Sequence, residues 1–313
     1  MTRKVLISAP YMQPVIERFR SDFDERNIEL VIPTVEERME EEQLLDVIDD
    51  IDGVISGDDR FTSRVLKSAH RLKVISKWGT GIDSIDQNAC RKMGIQVRNT
   101  PNAFSIPVAD SVIGYILCFC RNISWMNSKM HNGVWDKISG RAIHECSLGI
   151  IGVGNVGKTL AKRAISVGMP VFGNDIAKMP ESFLDETSIK MLSKEELLIQ
   201  ADFVSLNCNL NATSHHLINY QMFSIMKPTA VIINTSRGPV IKETDLIRAL
   251  QEKKIGGAAL DVFEHEPLPS DSPLLAMDNV LLSPHNANSS PEAWEAVHHS
   301  TIKNLFDVLD GET

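Results

Sequence analysis

Short apolar runs alternate with amphipathic stretches along nearly the whole chain, and this alternation predicts βαβ units with parallel sheets. The pattern occurs in two sets. The first set of predicted strands is Lys4–Ser8, Ile28–Ile32, Gly53–Ser56, Leu72–Ser76 and Ile95–Arg98, with polar helical stretches such as Thr34–Asp49 between them. The second set is Ser147–Val153, Pro170–Asp175, Phe203–Asn207, Ala230–Asn234, Gly257–Val262 and Val280–Ser283. Strands of the second set are nearly continuous in Val, Ile, Leu and Ala, as expected when helices cover both faces of a sheet. The stretch Asn102–Lys137 between the sets reads as a helix-rich connection, its helix beginning near Val108-Ala109-Asp110, where an acid suits a helix N-terminus. A last helix, Pro291 to Leu309, follows the final strand of the second set and is expected to pack back on the N-terminal domain.

Composition narrows the class. A chain of 313 residues exceeds one ordinary core and suggests two domains. With 43% hydrophobic and 23% charged residues it has the balance of a soluble globular protein. The net charge of −9 disfavours nucleic acid and anionic membranes as partners, while a local arginine still allows a small anionic substrate. No run is long and apolar enough to span a bilayer, and no signal-peptide core opens the chain. Five scattered cysteines, an odd number, do not read as a disulfide framework. Cys118 and Cys120 point to different helix faces, so no metal site is expected. The cytoplasm is the expected location.

Gly152-Val153-Gly154-Asn155-Val156-Gly157 is a GxGxxG between an apolar strand and a helical stretch, Lys158–Val167. The first glycine permits the tight turn, the second admits a pyrophosphate to the backbone, and the third lets helix and strand pack closely. The helix start offers free N–H groups and a favourable dipole to phosphates. The next strand ends in Asp175, roughly 20 residues on, where a carboxylate accepts from ribose hydroxyls and repels a 2′-phosphate. NAD is thus the expected cofactor, although Lys178 nearby softens the preference over NADP. The competing reading is a glycine turn plus a surface aspartate, which does not account for strand, glycines, helix, strand and acid in this order.

Later strand ends carry more chemistry. Ala230–Asn234 leads to Thr235-Ser236-Arg237-Gly238, Gly257–Leu260 leads to Asp261 through Pro267, and Val280–Ser283 leads to Pro284-His285. Ligands of open parallel sheets bind outside the carboxyl ends of the strands, so Arg237, Glu266 and His285 fall on the rim of the glycine loop. Reducing a 2-oxo acid needs a cation for the carboxylate and a proton for the carbonyl oxygen. Arginine supplies a planar charged fork. Histidine supplies the proton. A neighbouring glutamate favours the imidazolium and fixes the ring. Singly, each residue also reads as a surface ion pair or a plain turn, and spacing alone leaves Glu264 and His265 open as the functional pair.

Taken together, Gly152–Gly157, Asn234–Gly238, Ala259–Pro267 and Ser283–His285 resemble the D-isomer-specific 2-hydroxyacid dehydrogenase family. Trp78-Gly79-Thr80-Gly81-Ile82-Asp83, Asn99-Thr100-Pro101 and Val108-Ala109-Asp110 also match, so the likeness spans nearly the whole chain. It implies Arg237 as carboxylate anchor, His285 as acid/base, Glu266 as its partner, and Thr235 and Asp261 beside the cofactor, Asp261 near the nicotinamide carboxamide. It further implies that backbone amides of Trp78, Gly79, Thr80 and Gly81 bind the substrate carboxylate, which suits the way glycines expose amides to an anion. Asn209 stands where the family commonly has a proline beside the adenine, and Asn288 where it often has a glycine. The implied architecture is α/β: two doubly wound parallel-sheet domains with a cleft between them. A flavodoxin-like substrate domain spans residues 1–98 with 286–313, and a Rossmann coenzyme domain spans 99–285. A homodimer through Asn102–Lys137 is implied too, with Trp125 and Trp135 suited to an interface or to the chain's own core.

The segment around Trp78, with Arg60 upstream to reach a distal phosphate, most resembles 3-phosphoglycerate dehydrogenases. Arg60 reads equally well as an exposed loop cation. Because the chain ends at Thr313, a C-terminal regulatory domain is not expected. Glyoxylate or hydroxypyruvate reduction is the alternative substrate reading, with Trp78 narrowing the pocket. NAD-sensing corepressors of the C-terminal-binding-protein type, which share these residues, are the alternative of another class.

Overall fold

The computed structural model describes residues 2–311 and divides into two compact units, Met1–Phe104 with Ser290–Thr313, and Ser105–Ser289. Both divisions fall a few residues later than the sequence boundaries at 98 and 285. At the first, the turn after the strand ending at Arg98 stays bonded to its own unit: Thr100 donates its N–H to the Gly79 carbonyl (2.9 Å).

The smaller unit holds a five-stranded sheet of β1 (Arg3–Ile7), β2 (Ile28–Val31), β3 (Gly53–Ser56), β4 (Val74–Lys77) and β5 (Gln96–Arg98). All pairings are parallel, in the order β2-β1-β3-β4-β5. That is the flavodoxin-like order. The predicted helix Thr34–Asp49 shrinks to Glu41–Leu45. Met39 gives its N–H to the buried carboxylate of Asp59 (2.7 Å), and Glu40 caps the short helix that follows. The helix Pro291–Leu309 runs as expected and packs on β3, β4 and β5. Pro291 follows the N-cap Ser290, where a missing N–H is harmless. Gly53 permits the close approach, because a Cβ there would lie 2.8 Å from Leu305.

The larger unit holds seven parallel strands: β6 (Leu148–Ile151), β7 (Val171–Asn174), β8 (Lys190–Met191), β9 (Phe203–Leu206), β10 (Val231–Asn234), β11 (Gly257–Leu260) and β12 (Val280–Leu282). Their order is β12-β11-β10-β9-β6-β7-β8. This is the doubly wound order with one added strand, and it reverses direction between β6 and β9, where dinucleotides bind. Side chains alternate between two cores. Val204, Ile232, Ala258 and Leu260 join one, and Phe203, Val231, Ile233 and Ala259 join the other. Burial on both faces explains the unbroken apolar runs. The strand β8 was not predicted; its two residues are too short to carry a periodicity.

The connecting helix, Ser105–Arg121, starts earlier than predicted. Asp110 therefore does not cap it but pairs with Arg163. No single described helix is long and apolar enough to cross a membrane.

Candidate active site

The glycine loop leaves β6 in a conformation only glycine takes easily. Gly152 has φ +91°, and a Cβ there would sit 2.6 Å from the Cys208 nitrogen. Gly157 lies against the Gly152 carbonyl, 2.1 Å from where a Cβ would be. Gly154 is different: a Cβ there would meet nothing within 4 Å. Open space at the second glycine of such a loop suits a pyrophosphate. The first helical bond runs from Lys158 N–H to the Gly154 carbonyl (2.8 Å), and the N–H groups of Asn155, Val156 and Gly157 donate to nothing among the described residues. Such a turn favours anions.

Asp175 follows β7 as predicted and does more than face outward. One carboxylate oxygen accepts the Val153 N–H (2.7 Å) and the other accepts the Ala177 N–H (2.8 Å). The acid thus ties the glycine loop to its own strand. Ile176 beside it is 94% exposed, an apolar surface at the strand end. Two buried polar atoms at the neighbouring strand ends, Asn207 Oδ1 and Thr235 Oγ1, have no hydrogen-bond partner among the described residues. Buried groups of this kind are costly unless a ligand completes them. Glycine loop, unpartnered amides and orphaned oxygens together fit a dinucleotide.

Arg237, Glu266 and His285 stand beyond the carboxyl ends of β10, β11 and β12, three adjacent parallel strands. The ladder continues past the strands: Asp261 donates its N–H to the Asn234 carbonyl (3.0 Å), and His285 donates its N–H to the Asp261 carbonyl (2.8 Å). Glu266 accepts from Phe263 N–H with one oxygen (2.9 Å) and meets His285 Nδ1 with the other (3.0 Å). A carboxylate only accepts, so the shared proton belongs to Nδ1. His285 adopts φ +50°, a sparsely populated conformation for a residue with a side chain. Glu264, left open by spacing, pairs instead with His216 (2.7 Å).

Several supporting residues were not singled out from sequence. Buried Asn234 folds the arginine loop, donating to the Arg237 carbonyl (2.8 Å) and accepting from Ser236 N–H (3.1 Å) and Oγ (2.8 Å). Its only signal was a polar residue closing an otherwise apolar strand. Gly238 lets this loop meet the next one, since a Cβ there would overlap the Phe263 carbonyl. From the helix Ser105–Arg121, Ser111 Oγ donates to the Ala287 carbonyl (3.2 Å), and burial pushes the Tyr115 phenol up. Asp261 is almost fully buried, with one oxygen on Asn286 N–H (2.8 Å) and the other on Ala287 N–H (2.9 Å). Its carboxylate is thus a clamp on the segment that carries His285.

In the smaller unit, the turn after β4 presents amides. The carbonyls of Trp78, Gly79 and Thr80 are all engaged: by Lys77 Nζ (3.1 Å), Thr100 N–H (2.9 Å) and Asn99 Nδ2 (2.6 Å). The N–H groups of Gly79, Thr80 and Gly81 donate to nothing among the described residues. The Trp78 ring is buried. Arg60 is exposed, its guanidinium 3.9 Å from Glu40.

Residues 113–287 match the family model described as D-isomer specific 2-hydroxyacid dehydrogenase, NAD binding domain. The chain is 38% identical to a D-3-phosphoglycerate dehydrogenase of Methanocaldococcus jannaschii over 87% of this chain and 52% of that protein, so it spans about half the length of that relative. It is 36% identical to a glyoxylate reductase of Thermofilum pendens over 81% of this chain and 77% of that protein. A solved D-lactate dehydrogenase from Aquifex aeolicus, complexed with NAD and lactic acid, superposes with a TM-score of 0.89 at 27% identity, covering 99% of this chain and 96% of that one.

Removing the Asp261 clamp leaves the buried Ala287 N–H and the part-buried Asn286 N–H without their acceptor, and a buried orphan costs about 1–3 kcal/mol. Asp261→Ala is expected to lower unfolding free energy by about 2–4 kcal/mol in a urea titration; a change below about 1 kcal/mol would show that the clamp is dispensable.

Proposed function

Because the chain belongs to the D-isomer-specific 2-hydroxyacid dehydrogenase family, NAD-linked oxidoreductases acting on CH–OH groups, we propose that it interconverts a D-2-hydroxy acid and its 2-oxo acid with Arg237, Glu266 and His285 as the acting side chains. One observation carries this assignment: the 3.0 Å contact of His285 Nδ1 with Glu266, on the same sheet rim as the glycine loop.

NAD, when bound, supplies or takes the hydride. Gly152, Gly154 and the amides of Asn155, Val156 and Gly157 hold its phosphates, with Asp175 at the ribose and Thr235 Oγ1 completing its own bonding. Arg237 grips the substrate carboxylate with a planar charged fork. His285 Nε2 gives a proton to the carbonyl oxygen in reduction and takes it back in oxidation, and Glu266 stabilises the cationic ring. We assign Asp261 to positioning His285. The unpartnered amides of Gly79, Thr80 and Gly81 form a carboxylate-binding nest in the smaller unit, to which we give the substrate role and residues 1–98 with 286–313; residues 99–285 take the coenzyme role.

The substrate we propose is 3-phosphoglycerate and its oxo acid, supported by the relative of that name and by exposed Arg60 as a phosphate contact. Glyoxylate or hydroxypyruvate is the second reading, supported by the relatives so named. We further propose a homodimer through the helix-rich connection, where Ile123, Met130, Val134 and Trp135 are exposed, Trp135 by 82%. Trp125 is tied within its own unit, to the Asp278 carbonyl. The five thiols are unpaired, which suits the cytoplasm, the location we propose.

A panel of phosphohydroxypyruvate, hydroxypyruvate, glyoxylate and pyruvate with NADH and NADPH tests the substrate. Phosphohydroxypyruvate should give the highest kcat/KM, with NADH preferred and the preference reduced in Asp175→Ala. A higher value for glyoxylate favours the second reading, and no shift in Asp175→Ala removes that acid from the ribose. Arg237→Lys should raise KM for the oxo acid about ten-fold or more, because one ammonium cannot make the fork; an unchanged KM moves the anchor elsewhere. Sedimentation should find a dimer that Trp135→Asp dissociates, and a wild-type monomer at micromolar concentration would refute the interface.

A further inference from the structure

Trp78, expected in the amide nest, has its own N–H taken up and instead leads into the nest, held by its indole as well as its backbone. Trp78 donates its N–H to the Ser56 carbonyl (2.8 Å), and its own carbonyl accepts from Lys77. Its ring lies among Tyr11, Phe104 and Trp294, with centroids 5.1, 5.7 and 5.8 Å away. Packing of this kind buries the ring, and a buried indole N–H needs a partner. The directional restraint is a single hydrogen bond, from Trp78 Nε1–H to Nδ1 of His298 at 3.0 Å. Both partners are buried. His298 sits on the helix Pro291–Leu309, one turn before Thr301, whose carbonyl accepts from Ser76 of β4. The helix therefore grips β4 at Ser76 and the turn beyond it at Trp78.

We propose that His298 is a positioning residue for the substrate nest: by accepting the Trp78 indole proton it fixes the turn that aims the amides of Gly79, Thr80 and Gly81. This inference rests on the reading of that turn as the carboxylate nest. An indole nitrogen is only a donor, so His298 holds it only while Nδ1 carries no proton and the ring is neutral. Burial favours that state, pushing His298 below the ordinary histidine value of 6.5. Glu295, one turn back, opposes this, while Arg18 from the 3-10 helix Gln13–Phe19 and His299 next to it act with burial. From β4 the charged group is Lys77, paired with Asp58 (3.2 Å), and from the N-terminal loop the titratable group is Tyr11. The sign follows. The neutral, bonded form persists at and above neutral pH and is lost as pH falls through the lowered value, so substrate affinity should weaken on the acid side. In reduction His285 works protonated, so acid does not deplete it. Protonation of Glu266 is the competing cause of an acid limb.

Kinetics of oxo-acid reduction against pH, for wild type and the variants His298→Leu, His298→Asn and Gly79→Ala, separate these causes. Leucine removes the acceptor at similar volume, whereas asparagine keeps an oxygen near the Nδ1 position and does not titrate. His298→Leu should raise KM at neutral pH about five-fold, the worth of one net hydrogen bond, with kcat and NADH affinity near wild type. His298→Asn should keep KM near wild type and lose its rise in acid. Gly79→Ala puts a side chain at φ +122° and should raise KM if the turn is the nest. A raised KM in Gly79→Ala with an unchanged one in His298→Leu overturns the inference alone. An unchanged KM in Gly79→Ala overturns the nest, and the inference falls with it. If His298→Leu does not fold, judged by lost NADH binding, the asparagine variant decides: an acid limb like that of wild type overturns the role of His298.

Discussion

The larger unit depends on one constraint, that parallel strands keep their register after they stop being strands. Asp261 enforces it. Its backbone links the end of β10 to the segment after β12, and its buried carboxylate takes the next two N–H groups of that segment. A carboxylate accepting backbone bonds in a buried place is among the stronger restraints a fold can make. With it, the strained backbone of His285 is held where its ring meets Glu266, and three residues far apart in sequence share one rim.

The loops around this clamp sort two histidine–glutamate pairs. Glu264 goes to His216 and Glu266 to His285. They differ by two positions in the chain, yet only the second pair lies beyond the end of β12. Gly238 makes the sorting possible, because the arginine loop and the glutamate loop touch backbone to backbone there. The loop geometry rests on hydrogen bonds from Asn234 and Ser111. The residues proposed to act are left partly exposed, His285 and Glu266 at 24% and 19% of their side chains.

Eleven of the strands, their parallel direction and the glycine loop were legible because buried parallel strands write themselves as unbroken apolar runs. The strand β8 was not, being too short for any period. The helix expected over Thr34–Asp49 failed for a tertiary reason, since a carboxylate distant in sequence takes the Met39 N–H. At the site, Arg237, Glu266 and His285 were visible as reactive types at strand ends, but the choice between Glu264 and Glu266 needed coordinates or a resemblance. Asp261 was legible as a residue and not as a role: nothing local says that its oxygens reach Asn286 and Ala287. The burial of Trp78 was not legible either, because the rings that close over it, Tyr11 and Trp294, come from opposite ends of the chain.

The central claim is that this rim adds hydride to the face of a 2-oxo acid that yields the D-alcohol, and isotope transfer measures that directly. Hydroxypyruvate reduced by the protein with NADH deuterated at nicotinamide C4 should give glycerate with one deuterium at C2 and the D configuration, read by NMR and chiral chromatography. Glycerate without deuterium when both faces of the nicotinamide are labelled, an L product, or no glycerate or other 2-hydroxy acid from any 2-oxo acid offered would contradict the account.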